Sequence, residues 1–230
     1  MPNIDNNITH VQRRLQQAAR DAGRNPEDVL LLAVSKTRSS PQLAEAIKSG
    51  ITSFGENYLQ EAAPKISELQ KHRLDWHFIG PLQSNKTRQV AELFSWVHTV
   101  DRLKIAQRLS DQRPKNLAPL NICLQINIDQ ESSKSGFTAE QAAEAALAIA
   151  KLPHLTLRGL MAIPKARQDI AGQRVAFTKL RNLLDELNSL LDKSQKLDTL
   201  SMGMSDDLEA AILEGATIVR VGTDIFGPRH

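Results

Sequence analysis

Three groups of residues in this chain of 230 could do covalent or anion chemistry, and they lie far apart in the sequence. Lys36 follows the apolar run Val29 to Val34 and Ser35. Lysine is disfavoured at such a place unless it is paired or chemically used, and a primary amine there can condense with an aldehyde. The segment Ser201-Met-Gly-Met-Ser205 and the pair Gly222-Thr223 combine glycines with hydroxyls. Glycine lets backbone N–H groups approach an anion, and the hydroxyls of Ser205 and Thr223 add hydrogen bonds. Against this, Asp206 and Asp207 put negative charge beside the same segment, so the phosphate reading rests mainly on Ser205, Gly222 and Thr223. Arg220 is a lasting cation that can only donate hydrogen bonds. An amine, a phosphate cradle and a donor for a ring nitrogen together suggest pyridoxal 5′-phosphate as the cofactor.

For these groups to meet, the chain between them must carry strand ends to one place. The run Val29–Ser35 reads as a strand buried on both faces, as in parallel sheets. Further strands are expected at Ser53–Glu56, Trp76–Gly80, Trp96–Val100, Asn121–Asn127, Thr156–Met161, Thr199–Met202 and Thr217–Val221. Helical spacing fills the gaps between them, with Asp101 and Thr138 as caps and Glu209 as a capping-box residue near Asp206. Ile8, Val11, Leu15, Ala18 and Ala22 predict a leading helix over about residues 5–22, ended by Gly23. Strands alternating with helices imply right-handed βαβ units. Eight units in this length predict one α/β domain over 1–230, a closed (β/α)8 TIM barrel with an extra N-terminal helix. In such a barrel the strand ends converge on one mouth, which gathers Lys36, Asn57, Ser201–Ser205, Arg220, Gly222 and Thr223.

Composition narrows the alternatives. Basic and acidic residues number 29 and 26, aromatics make up 4%, and no Lys/Arg run occurs, so nucleic acid is not an expected partner. The single cysteine, Cys123, lies in an apolar run and reads as a core residue in a reducing cytoplasm. No apolar stretch is long enough for a membrane span, and the six histidines show no metal-ligand spacing. His77 alternates with Trp76 and Phe78, which reads as a core or rim position. A cytoplasmic monomer with small-molecule partners is expected.

The motifs AVSKT, FGENY, WHFIGPLQSNK, KSGF, LRGLMAI, SMGMSDDLEAAI and VRVGTDIFG occur in order over nearly the whole chain. In this the sequence resembles the pyridoxal-phosphate homeostasis proteins, single-domain barrels related to the N-terminal domain of alanine racemase. The resemblance implies that Lys36 carries the cofactor as an internal aldimine and that Arg220 contacts the ring nitrogen. It further implies that Ser201, Ser205, Gly222 and Thr223 surround ring and phosphate, and that Asn57 and His77 line the mouth. The function implied is cofactor binding and homeostasis of vitamin B6 and amino-acid pools, without established turnover. An amino-acid racemase is the alternative. Racemases add a β-rich domain with a tyrosine opposite the lysine, whereas the only tyrosine here is Tyr58, at a helix start. A Schiff-base aldolase for a phosphorylated sugar is a further enzyme reading, but it would not need an arginine aimed at a ring nitrogen.

Overall fold

A computed structural model describes residues 3–228. Eight parallel strands close into a barrel in sequence order: β1 (Leu30–Val34), β2 (Ser53–Glu56), β3 (Asp75–Phe78), β4 (Trp96–Val100), β5 (Leu120–Gln125), β6 (Leu155–Met161), β7 (Thr199–Ser201) and β8 (Ile218–Val221). Around them run α1 (Ile4–Asp21), α2 (Ser40–Lys48), α3 (Leu59–Glu68), α4 (Thr87–Leu93), α5 (Leu103–Gln112), α6 (Ala139–Ile149), α7 (Ile170–Leu190), α8 (Leu208–Leu213) and α9 (Thr223–Phe226). The TIM barrel expected from the alternating pattern is the fold observed.

Side chains of the strands alternate between two environments. Ala33, Phe54, Phe78 and Val97 join the continuous apolar layer between sheet and helices. The intervening residues turn into the barrel, where Leu32 packs near Gly55 and a set of polar side chains meets. The leading helix α1 is amphipathic: Ile8, Val11, Leu15 and Ala18 are buried, and Asn3 caps it by accepting from Asn6 N. It packs on α2, α8 and α9, covering the barrel where the last strand meets the first. Thr138 and Gln141 form the capping box of α6, as its sequence predicts.

Several helix starts differ from expectation, each for a local reason. Asp101 does not cap α5, because its carboxylate is taken by Arg102 at 2.6 Å. Glu209 does not close a capping box on α8; it pairs with Arg14 of α1 at 2.7 Å. Helix α7 begins at Ile170, earlier than its apolar spacing suggests, because Asp169 caps it through Gly172 N. After β8 the chain makes the single-turn helix α9, where only a tail was expected.

Candidate functional site

At the carboxyl ends of the strands lies a cavity of about 220 Å³. Lys36, Asn57, Ser205, Arg220, Gly222 and Thr223 line it, with Arg38, Met204, Asp206 and the apolar Val34, Ile79 and Ile163. Six of the eight residues singled out from the sequence therefore line one cavity. The other two, His77 and Ser201, are buried and do not line it. The expectation that His77 lines the mouth is corrected: its ring stacks on Trp96 with an interplanar angle of 4° and bonds to His98.

The turn that presents Lys36 is held from α3. Thr37 has φ 63°, in the left-handed region that a β-branched residue avoids. Its N–H donates to Glu61 Oε2 at 2.7 Å, and Lys65 Nζ donates to the Ser35 carbonyl at 2.8 Å. Lys65 also pairs with Glu56 Oε1 at 2.8 Å, and Ser35 Oγ donates to the same oxygen at 2.6 Å. Burial raises the Glu56 carboxyl above the usual range despite these donors, and among the described residues its Oε2 has no hydrogen-bond partner. One helix thus grips the backbone on both sides of Lys36.

The loops after β7 and β8 form the opposite wall. Gly203 has φ 92°, and a Cβ there would lie 2.5 Å from Ala211 Cβ, so both backbone and space call for glycine. Asp207, whose carboxyl burial raises, accepts from Met204 N at 2.6 Å and so caps this loop from within. Asp206 does line the cavity, so one of the two carboxylates stays where sequence reasoning placed it. Helices α8 and α9 have six and four residues, so anion affinity here rests on loop N–H groups, hydroxyls and side-chain charge more than on helix dipoles.

Arg220 enters the cavity from below. Its Nη1 donates to the Ser201 carbonyl at 2.6 Å and to Ser201 Oγ at 2.8 Å, and Nη2 donates to the Ala162 carbonyl at 3.0 Å. These use three of the five N–H groups of a guanidinium, leaving donors for the cavity. It pairs with neither Glu56 nor Asp224: Glu56 is on Lys65, and Asp224 on Arg14. Burial lowers Arg220 to about 10, countered by Asp207, so it stays a cation near neutral pH.

Behind Arg220 a hydrogen-bond chain crosses the barrel. Ser201 Oγ lies 2.7 Å from His98 Nδ1, and His98 Nε2 lies 2.9 Å from His77 Nδ1. Burial lowers His77 to about 3, and holds His98 well below its ordinary value with added repulsion from His77 and Arg220. Both rings are therefore neutral. Since Arg220 already donates to Ser201 Oγ, we assign the serine hydrogen to His98 Nδ1 and the His98 hydrogen to Nε2, facing His77. Sequence reasoning missed His98. The signal was there: two histidines at inward positions of adjacent strands must satisfy each other or something deeper.

The cavity fits an anionic small molecule. Lys36, Arg38 and Arg220 outweigh Asp206 in charge, and Asn57 keeps a buried Oδ1 with no hydrogen-bond partner among the described residues. Cys123 is no nucleophile, since burial pushes its thiol up to about 12. No cluster suited to a metal ion occurs among the described residues. No described helix is long and apolar enough to cross a membrane.

Comparison with known proteins gives the family. Residues 5–230 match the family described as the N-terminal domain of alanine racemase. A Pseudomonas aeruginosa protein named pyridoxal phosphate homeostasis protein is 58% identical over 229 residues, covering 100% of this chain and 97% of that one. The chain belongs to the pyridoxal phosphate homeostasis protein family. Among solved structures, PipY of Synechococcus elongatus, determined with PLP bound, is 34% identical with a TM-score of 0.81, covering 93% of this chain and 100% of that one. Alanine racemase of Corynebacterium glutamicum shares the fold, with a TM-score of 0.70 at 17% identity. The homeostasis-family chain covers only 61% of that racemase, while 97% of this chain is matched.

Proposed function

We propose that this chain binds pyridoxal 5′-phosphate, carries it covalently on Lys36 Nζ, and serves vitamin B6 and amino-acid homeostasis in the cytoplasm as a monomer. The observation that carries the reading is that Lys36, Arg220 and the hydroxyl-bearing loops at Ser205 and Thr223 face one cavity. The PLP-bound state of PipY supports it. When bound, the cofactor supplies an aldehyde that condenses with a primary amine and releases water.

Each residue then has a task. The grip of Glu61 and Lys65 on the backbone presents Lys36 toward the cavity. Ser205, Gly222 and Thr223 receive the phosphate. Asn57 offers its unused Oδ1. Arg220, fixed by Ser201 and still cationic, can only donate to a ring nitrogen and so keeps that nitrogen unprotonated. A neutral ring withdraws electrons weakly, which favours holding the cofactor over carbanion chemistry. The racemase reading needs a proton carrier on each face of the substrate carbon. Tyr58 does not supply the second one, since it is half exposed and lines a neighbouring hollow with Leu82 and Lys86.

The test is titration of the protein with pyridoxal 5′-phosphate, followed by visible absorption. A saturable band that is absent in Lys36→Ala, while circular dichroism is unchanged, is expected. Equal bands in both proteins would overturn the assignment, and amino-acid racemisation at ordinary enzyme rates would favour the alternative.

A further inference from the structure

One side chain of the leading helix reaches both loops proposed to hold phosphate. Arg14 of α1 forms a fork with Glu209, Nε to Oε1 at 2.7 Å and Nη2 to Oε2 at 3.0 Å. Its Nη1 donates to Asp224 Oδ2 at 2.6 Å, and Nη2 also donates to the Ser205 carbonyl at 2.8 Å. Glu209 belongs to α8 and Asp224 to α9, so one guanidinium ties the segments that follow β7 and β8. Asn7, two turns earlier on the same face of α1, adds a bond from Nδ2 to the Ile225 carbonyl at 2.9 Å.

The charge arithmetic makes this more than a structural tie. Ser205 and Thr223 line the cavity, and so does the carboxylate of Asp206. Glu209 and Asp224 lie beside the same two segments and would add two further negative charges near a bound dianion. Arg14 is half-buried, where an ion pair is screened less than at an open surface. A bidentate fork also fixes geometry in a way a lysine cannot.

We propose that Arg14 is a positioning residue for phosphate recognition: by offsetting Glu209 and Asp224 and holding the Ser205 carbonyl, it makes the cavity select a phosphate monoester over the same aldehyde without phosphate. The proposal rests on the reading of this cavity as the pyridoxal 5′-phosphate site and adds the origin of its selectivity. Arg14 does not itself line the cavity.

The experiment compares affinity for pyridoxal 5′-phosphate and for pyridoxal, with inorganic phosphate as competitor, in the wild type, Arg14→Gln, Arg14→Lys and Asp224→Asn. In Arg14→Gln the preference for the phosphorylated aldehyde should fall on the order of tenfold, with pyridoxal affinity nearly unchanged. Arg14→Lys should recover part of it. Asp224→Asn leaves Arg14 on Glu209 and removes a negative charge, so the preference should rise. An equal loss for both aldehydes, or unchanged competition by phosphate, would overturn the proposal. Should Arg14→Gln fail to fold, an unchanged preference in Arg14→Lys and Asp224→Asn would do the same. The Lys36 reading fails separately, if neither aldehyde modifies Lys36 in the wild type; thermal stabilisation by inorganic phosphate then still reports on Arg14.

Discussion

Ser201 Oγ accepts a hydrogen bond from Arg220 Nη1 at 2.8 Å, and this contact joins the cavity to the polar interior of the barrel. The same oxygen sits 2.7 Å from His98, which bonds to His77, so the guanidinium is held by a chain spanning β3, β4, β7 and β8. Adjacent strands do not account for this, because β4 and β7 are not neighbours in the sheet. The bond between His98 and Ser201 runs across the barrel itself.

If that chain orients Arg220, His98→Gln should weaken pyridoxal 5′-phosphate binding without preventing attachment to Lys36. Losing one net hydrogen bond is worth about 1 kcal/mol, or roughly fivefold in affinity. The visible band should also shift, since the ring nitrogen reports the position of Arg220. Absorption titration checks both, and wild-type affinity with a wild-type band would separate His98 from the site.

Stability should fall with acidity in a defined window. His77, at about 3, and His98, held well below its ordinary value by burial, are neutral in the fold but take up protons near 6.5 when unfolded. Between those values the unfolded state binds more protons, so the stabilising preference for the fold is complete above about 6.5 and is lost as pH falls toward 3. Each proton taken up only by the unfolded state contributes a slope of at most about 1.4 kcal/mol per pH unit. Urea unfolding at a series of pH values should show this slope reduced in His98→Gln. Parallel curves for the two proteins would contradict it.

Lys65 and Glu56 form a buried pair that supports the Lys36 turn. Removing only the cation strands a carboxylate, so Lys65→Met should cost about 3–5 kcal/mol in unfolding free energy. The double variant Lys65→Met with Glu56→Leu should recover most of that stability, because apolar replacement of both members of a buried pair is often near neutral. Cofactor attachment should remain slow in the double variant, since Ser35 has lost its lysine donor. Denaturant titration and attachment rates distinguish these effects. Additive stability costs would argue against a coupled pair.

Gly203→Ala and Gly222→Ala should differ in severity. At Gly203 the added Cβ meets Ala211 Cβ at 2.5 Å and the backbone is left-handed, whereas at Gly222 the nearest atom is the Val34 carbonyl oxygen at 3.2 Å. Strain from positive φ alone costs about 1–2 kcal/mol, and the overlap adds to it. Thermal unfolding should rank Gly203→Ala as the less stable protein; the reverse order would show that the loop can rearrange.

The barrel was legible because each strand is a short apolar run ending at a turn, and each run is followed by helical spacing. Ser53–Glu56 and Trp96–Val100 match the observed strands at both ends. The lining residues Lys36, Asn57, Ser205, Arg220, Gly222 and Thr223 were legible for the same reason, since a parallel barrel brings strand ends together. What the sequence hid were the groups that hold these residues. Arg14 and Lys65 sit on helices, where a basic residue ordinarily reads as solvated. The task of Arg14 depends on carboxylates as distant in sequence as Glu209 and Asp224, and that of Lys65 on Glu56 buried inside the barrel. His98 looked like part of an apolar strand, and it is buried as that pattern implies; only its inward direction and the serine across the barrel give it a role.

The account is tested most directly by borohydride reduction of the wild-type protein with pyridoxal 5′-phosphate, followed by mass mapping of its peptides. One stoichiometric addition on the peptide containing Lys36 is the expected result. Labelling spread over surface lysines, or concentrated on Lys65 or Lys134 with Lys36 unmodified, would contradict it.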